Sequence, residues 1–310
     1  MKMRALVTGA NGLVGGRLVR LLASRGHEVF AMGRGHQRVL PSPPHGEETI
    51  PQYVSGDLGD TDGLAQSLRE IRADVVINCA AMTDVDGCER EPSHAYTANV
   101  EGVATLARSA RALDSHLLQV STDYVFDGDA GPYDVDAIPN PRGVYAITKH
   151  MGEEAVRALC PRGKWTIART AVVYGWPSTG KNNFGSWLIE ALGAGKTVKL
   201  FTDQRVTPSH AGNVAEMLAE LAERRMAGIW HTSGADVVDR VSFGQKLCAR
   251  FGFDPSLIHP SKMADLNLPT PRPAKSGLNV SRTLEALGAK PLGIDAALDR
   301  FYAEYKGSTS

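Results

Sequence analysis

The sequence predicts an α/β protein: a doubly wound parallel sheet with a smaller C-terminal part set against it. Three observations predict it. Short apolar runs alternate with longer helical ones through the first half of the chain. A glycine turn sits between the first apolar run and the first helix. From about residue 175 the composition shifts to helices separated by polar loops rich in Gly and Pro.

The first apolar run is Ala5-Leu6-Val7. Others follow at Glu28–Met32, Asp74–Asn78, Leu117–Val120 and Trp165–Ala168. They are continuous rather than alternating, which suits strands buried on both faces. Between the first two, Val14, Leu18, Leu21 and Leu22 share one helical face, with Arg17, Arg20 and Ser24 on the other. Residues 95–113 repeat the pattern with Ala98, Val103, Leu106 and Ala110, which predicts one helix. Residues 35–51 and 127–143 read as loops, the second leading into a helix. Beyond them come a loop (WPSTGKNN), a helix ending in glycine (FGSWLIEALGAG), a polar loop (DQRVTPSH) and a helix over about 211–226. A proline-rich segment (LPTPRPAKSG) and an amphipathic end (AALDRFYAEY) complete the chain. The layout expected is a nucleotide-binding domain over residues 1–170 and a substrate-binding part over 171–310, with the chain crossing back between them.

Composition narrows the function. Of 310 residues, 34 are basic and 34 acidic, so the formal net charge is zero. No general field draws the chain to nucleic acid or an anionic membrane, and neither is expected as a partner. No apolar run approaches the roughly 20 residues of a membrane-spanning helix. The opening MKMRALVTGA runs straight into a strand with no secretion-signal pattern, so the cytoplasm is the expected compartment. Cys79, Cys88, Cys160 and Cys248 form no CxxC pair, the histidines are scattered, and no metal site is expected.

The turn reads Thr8-Gly9-Ala10-Asn11-Gly12-Leu13-Val14-Gly15, a TGxxGxxG spacing. Gly9 permits a tight turn, Gly12 lets backbone N–H groups approach a pyrophosphate, and Gly15 lets the helix pack close. A plain βα turn can carry the same letters. Its place directly after a strand and before a helix favours a dinucleotide site of Rossmann type, with Asn11, Leu13 and Val14 alongside the glycines. An NAD site usually places Asp or Glu at the end of the second strand. Here that strand ends in Met32-Gly33-Arg34-Gly35, with Arg38 nearby. Arg34 can pair with a 2′-phosphate, so NADP(H) is expected ahead of NAD(H). Asp57, followed by Leu58, comes after the third strand and is placed at the adenine amine.

Tyr145 and Lys149 form Tyr-x-x-x-Lys, four apart and on one helical face. An ammonium beside a phenol favours the phenolate and brings its pKa down from about 10. Thr122, in Val120-Ser121-Thr122-Asp123-Tyr124, sits where a strand ends, and its hydroxyl can hold a substrate oxygen beside Tyr145. Alone, the Tyr/Lys pair is also what a surface helix shows; with the glycine turn and the strand-end Ser-Thr, it points to proton transfer.

These stretches resemble the extended short-chain dehydrogenases/reductases, most closely the dTDP-4-dehydrorhamnose reductases. The matching runs are VTGANGLVG, GDL, VINCAAMTDVDGCEREPSHAYTANVEG, VSTDYVFDG, ARTAVVYG, DQRVTPS and RPAKSGL, in order along the whole chain. The resemblance implies Thr122, Tyr145 and Lys149 as the catalytic trio, with Lys149 also at the nicotinamide ribose. It implies Ala80, Ala81 and Asn99 along the cofactor and catalytic helices, and Thr83, Val85 and Asp86 beside the sugar. Asp123, Asn183, Phe184, Gln204, Arg205 and Arg272 would line a nucleotide-sugar cleft. Three departures fall on the substrate side. Val172 stands where the family often has Trp, Val206 replaces a glycine, and RPAKS replaces RPxNS.

The expected activity is reduction of a nucleoside-diphosphate 4-keto sugar. Hydride goes to C4, Tyr145 gives the proton, Lys149 lowers the phenol pKa and Thr122 orients the carbonyl. The alternatives are an epimerase or dehydratase, a reductase of a non-sugar ketone, or a cofactor-binding regulatory subunit. A homodimer is left open.

Overall fold

The structure is a computed structural model. It describes residues 2–36, 51–177, 182–266 and 268–309. Most of the loop predicted over 35–51, Arg38 included, and part of WPSTGKNN lie outside these residues.

The apolar runs become strands β1 (Arg4–Thr8), β2 (Glu28–Gly33), β3 (Gln52–Ser55), β4 (Val75–Asn78), β5 (His116–Thr122) and β6 (Trp165–Thr170). With a seventh strand, Gly228–His231, they form one parallel sheet. Its spatial order is Gly228–His231, β6, β5, β4, β1, β2, β3. The seventh strand pairs with β6, Ile229 opposite Ile167, so the chain returns to the first half's sheet after leaving it.

Alternation along the strands feeds two cores, because successive side chains point to opposite faces. Ala5, Val7, Val75 and Ile77 pack with helix α1 (Leu13–Ser24) and with the helix Ala211–Glu223. Leu6, Val76 and Leu117 pack with helix α2 (Thr61–Ile71) and with the helices that follow β4. Each such Leu or Val contributes about 1.5–3 kcal/mol on leaving water. A third cluster, with Tyr174, Leu188, Leu192, Phe243 and Phe301, forms the core of the C-terminal part.

The helix predicted over 95–113 is broken. The short helices α3 (Val85–Arg90) and α4 (Pro92–Tyr96) lead into a π-helical turn, Thr97–Glu101, and only then into α5 (Gly102–Ala112). The cause is tertiary. Asn99 within the turn donates to Met82 O at 3.1 Å and to Thr148 Oγ1 at 3.2 Å, and accepts from Met82 N at 2.9 Å. A wider turn at a functional wall is a common use of this geometry.

Candidate active site

In chain order β1 leads toward β2 on one side and β4 toward β5 on the other. The crevice beyond their C-terminal ends is where doubly wound sheets bind ligands. The glycine turn closes it. Gly9 takes φ +68°, and a Cβ there would lie 2.8 Å from Ala80 N. A Cβ on Gly15 would lie 2.3 Å from Gly9 O, so only glycine lets α1 rise from the turn. Gly12 is the N-cap of α1 and offers no side-chain cap, and the first turn holds no acidic residue. The first N–H groups of α1, from Leu13, Val14 and Gly15, thus have no side-chain partner at the cap and face an anion site. The N–H of Gly12 itself donates to Gly9 O at 2.8 Å and closes the turn.

The other cofactor-side residues surround this turn. Asn11 Nδ2 donates to Tyr53 Oη at 2.9 Å and to Arg34 O at 3.2 Å, which ties the end of β2 to the turn. Arg34 is exposed just past β2, and Gly33 stands where a carboxylate would bind a ribose. Asp57 is exposed and Leu58 is buried. Ala80 and Ala81 follow β4, half-buried, with Ala80 N donating to Asn78 Oδ1 at 3.2 Å. An uncapped helix, a cradle that any Cβ would fill and an exposed arginine at the ribose position fit a dinucleotide phosphate.

Tyr145 and Lys149 lie on α6 (Val144–Leu159). Glu89 Oε1 accepts from Val144 N at 2.7 Å and caps this helix from α3. A Cβ on Gly152 would meet Asn99 O at 2.5 Å, so this glycine lets α6 close on the π-helical turn. Glu153 on the same helix accepts from Arg169 of β6 at 2.6 and 2.9 Å, both groups fully buried. Burial alone would raise the Glu153 pKa, but the Arg169 bonds outweigh it and hold it down at about 2. That pair locks α6 to the sheet. Removing one partner of such a pair costs about 3–5 kcal/mol.

Tyr145 and Lys149 are both buried. Lys149 Nζ donates to Val120 O at 2.8 Å. Burial pushes Lys149 down to about 8, partly offset by Glu153. Burial pushes the Tyr145 phenol up, while its hydrogen bond with Thr122 pulls it down. The expected lowering of the phenol is not found: desolvation decides the balance, and the phenol stays protonated at neutral pH. Thr122 Oγ1 donates to Asp123 Oδ1 at 3.1 Å and accepts from Tyr124 N at 3.2 Å. Asp123 is buried, and its Oδ2 accepts from Ser276 Oγ at 2.5 Å. Burial raises Asp123 to about 6 against the pull of Ser276 and Thr122. Asp123 was expected at the substrate; it is enclosed, and it fixes Thr122 instead.

The Tyr124 ring packs edge-on against Tyr145 at 5.5 Å and also lines a cavity of about 230 Å³. Phe184, Gln204 and Arg272, predicted for the substrate, line it too. Arg272 Nη2 donates to Asp86 Oδ2 at 2.7 Å. Val85 and Asp86 lie on α3, and Thr83 is exposed just before it. Asn183 is not in the lining. It caps the helix Phe184–Gly193, accepting from Gly185 N at 3.1 Å and Ser186 N at 3.2 Å, and donates to Gly175 O at 2.8 Å. Arg205 is exposed, also outside the lining, with Nη2 3.5 Å from Val237 O. Arg240, which the sequence reading missed, is in the lining. Asp239 caps its helix, an Asp-x-x-Ser start visible in the sequence, yet nothing in the spacing tells that the next side chain turns to the cavity. Val172 takes φ +40°, a strained conformation for a β-branched residue, and its carbonyl accepts from Ser209 N at 3.2 Å. Among the described residues no three His, Cys, Asp or Glu gather as a metal site.

Comparison with known proteins agrees with this geometry. The family model described as the RmlD substrate binding domain matches residues 3–306. A probable low-salt glycan biosynthesis reductase, Agl14 of Haloferax volcanii, is 38% identical over 98% of this chain and 99% of its own. The dTDP-4-dehydrorhamnose reductase of Streptomyces griseus is 36% identical over 93% of this chain and 89% of its own. The crystal structure of the dTDP-4-dehydrorhamnose reductase of Bacillus anthracis in complex with NADP superimposes with a TM-score of 0.84, at 26% identity, covering 98% of this chain and 100% of that one. A fold with the glycine turn at its crevice, a buried Tyr/Lys/Thr cluster beside it and a match along nearly the full length lead to one conclusion: the chain belongs to the RmlD substrate-binding-domain family.

Proposed function

We propose that the protein is an NADP(H)-preferring reductase, able to take NAD(H), that acts on a 4-keto sugar carried by a nucleoside diphosphate. The observation that carries this reading is a protonated, buried Tyr145, one helical turn from Lys149 and hydrogen-bonded to Thr122, where β5 ends at the crevice. Relatives named as dTDP-4-dehydrorhamnose reductases support the substrate class.

A bound reduced nicotinamide supplies the hydride for the carbonyl carbon. Tyr145 Oη–H gives its proton to the carbonyl oxygen as negative charge develops there. Because desolvation keeps the phenol protonated, the resting site is set for donation, the direction reduction needs. Lys149, charged below about pH 8, stabilises the phenolate left behind. Thr122, fixed by Asp123, hydrogen-bonds the Tyr145 oxygen and favours its phenolate, so it holds the phenol in place and leaves the phenol's own proton for the carbonyl. We assign residues 1–170 to the cofactor and 171–310 chiefly to the substrate, and place the enzyme in the cytoplasm, where its four free cysteines are at home. A dehydratase reading is disfavoured: no Glu adjoins Thr122, and Asp123 is occupied by Thr122 and Ser276.

The test is turnover. Purified protein is mixed with NADPH or NADH and a panel of nucleoside-diphosphate 4-keto sugars and simple ketones, and loss of reduced-nicotinamide absorbance is followed. Consumption with a nucleotide keto sugar, faster with NADPH, is expected. Consumption only with simple ketones, or none with any, contradicts the reading.

A further inference from the structure

On the sheet face that packs against α6, the side chains change character toward the crevice. Leu6, Val76 and Leu117 stand side by side on β1, β4 and β5 and belong to an apolar core. Two residues further along, Thr8, Asn78 and Gln119 stand in the same register on the same face, and all three are polar. Each is at most 2% exposed. They are joined. Thr8 Oγ1 donates to Asn78 Oδ1, Asn78 Nδ2 donates to Gln119 Oε1 at 2.8 Å, and Gln119 Nε2 donates to the Val120 carbonyl at 2.9 Å. The same carbonyl accepts from Lys149 Nζ at 2.8 Å. The row therefore runs unbroken from the residue before the glycine turn to the lysine. Its direction is fixed from both ends. Ala80 N, beside the turn, donates to Asn78 Oδ1 at 3.2 Å, and an N–H cannot accept, so the Asn78 amide offers oxygen there and nitrogen to Gln119. Gln119 then offers its oxygen to Asn78, and its nitrogen is left for Val120 O. Flipping either amide would set like against like. Apolar side chains fill the row below with no such requirement; a buried polar chain with each amide paired specifies position instead.

We propose that Gln119 is a positioning residue of the reductase: by donating to Val120 O it fixes the carbonyl that holds the Lys149 ammonium, and Asn78 and Thr8 tie that placement to the cofactor turn. The inference rests on the reductase reading above and adds a residue to it. Gln119 acts through Lys149. That ammonium is faced by Glu153 on its own helix, by Cys79 after β4 and by Cys88 on α3. Burial pushes the two thiols up, Cys79 to about 12 and Cys88 to about 11, so both are neutral at working pH. The Val120 carbonyl and Glu153 are then the groups that favour the charged lysine, and Gln119 governs the first of them.

The experiment is a double-mutant cycle on the full-length enzyme: wild type, Q119M, K149M and Q119M/K149M. Each is run in single turnover, with enzyme in excess over a nucleoside-diphosphate 4-keto sugar and NADPH saturating, and wild type and Q119M are followed across pH. NADPH titration, circular dichroism and the thermal midpoint accompany the rates. Methionine matches glutamine in length and removes its hydrogen bonds. Q119M should be slowed roughly 5- to 50-fold, the span of one buried hydrogen bond, with NADPH affinity within about twofold of wild type. Its rate should begin to fall at a lower pH than that of wild type, because a buried lysine whose acceptor is loosened loses its charge more readily. In the K149M background the same substitution should cost less than about twofold, since its effect runs through the missing lysine. A merely structural role would lower the thermal midpoint, leave the basic limb in place and cost the same factor with or without Lys149. A folded Q119M that matches wild type in rate and basic limb overturns the assignment, and so does a full penalty in the K149M background. If Q119M does not fold, N78T, which suits a strand but is too short to reach Gln119, goes through the same cycle under the same criteria. If the wild type turns over no nucleoside-diphosphate 4-keto sugar, the reductase reading itself falls and takes the assignment with it.

Discussion

Around the glycine turn the backbone itself makes the site, whereas the cavity beyond Tyr124 is made of side chains gathered from distant stretches of chain. At the turn, Gly9 and Gly15 are fixed by atoms 2.8 and 2.3 Å from where a Cβ would be, and little else can stand there. In the cavity, Arg240 depends on Gln204 and Phe184, and Arg272 on Asp86, each a partner from another element. A backbone site states its constraints locally. A side-chain site does not, and it can change one residue at a time. Tyr145 sits between the two regions.

The largest expected effect comes from that middle position. Tyr145→Phe should cut turnover by roughly 10²–10⁴-fold while cofactor affinity is kept, as measured by steady-state kinetics and NADPH titration. Loss of cofactor binding in step with turnover would mean that the two regions are not separable. Next is Gly15→Ala. Its methyl meets backbone rather than a yielding side chain, so the strain should cost about 1–3 kcal/mol and cofactor affinity should fall with it. A drop in thermal midpoint with NADPH affinity intact would break the backbone half of the comparison.

The pH dependence sharpens the account of the middle. The free-enzyme kcat/KM should decline above pH 8, as Lys149 loses the charge that burial already makes easy to lose. It should decline below pH 6, as Asp123 takes a proton and no longer accepts from both Thr122 and Ser276. Asp123→Asn should flatten the acid limb and leave the basic one. A retained acid limb would assign it to another group. The smallest effect is at the rim: Arg34→Ala should reduce the preference for NADPH over NADH by roughly two- to fivefold, the scale of an exposed charge contact. An unchanged ratio would remove Arg34 from cofactor choice.

The same contrast explains what the sequence made legible. Strands β1, β2, β4, β5 and β6 were visible because burial on both faces leaves unbroken apolar runs. The turn was visible because its glycines sit within eight residues of one another. The Tyr145/Lys149 pair was visible because helical spacing is fixed. The break at Thr97–Glu101 was hidden, since its cause is Asn99 reaching Met82 and Thr148, far off in sequence. The phenol's pKa direction was misjudged for a related reason: charge neighbours can be read from spacing, but depth of burial cannot. Asn183 could have been read as a cap from the Asn-x-x-Ser start of its helix. That Arg240 lines the cavity and Arg205 does not could not be read, because it depends on which loop folds over which.

The most direct test of the central claim is isotope transfer. Wild-type enzyme is supplied with reduced cofactor carrying deuterium at the transferable position of the nicotinamide, together with a nucleoside-diphosphate 4-keto sugar, and the product is examined by mass spectrometry and NMR. The account predicts one deuterium per product, at sugar C4, with Tyr145→Phe giving next to none in the same time. Product bearing no deuterium at C4, or Tyr145→Phe matching wild type, would contradict it.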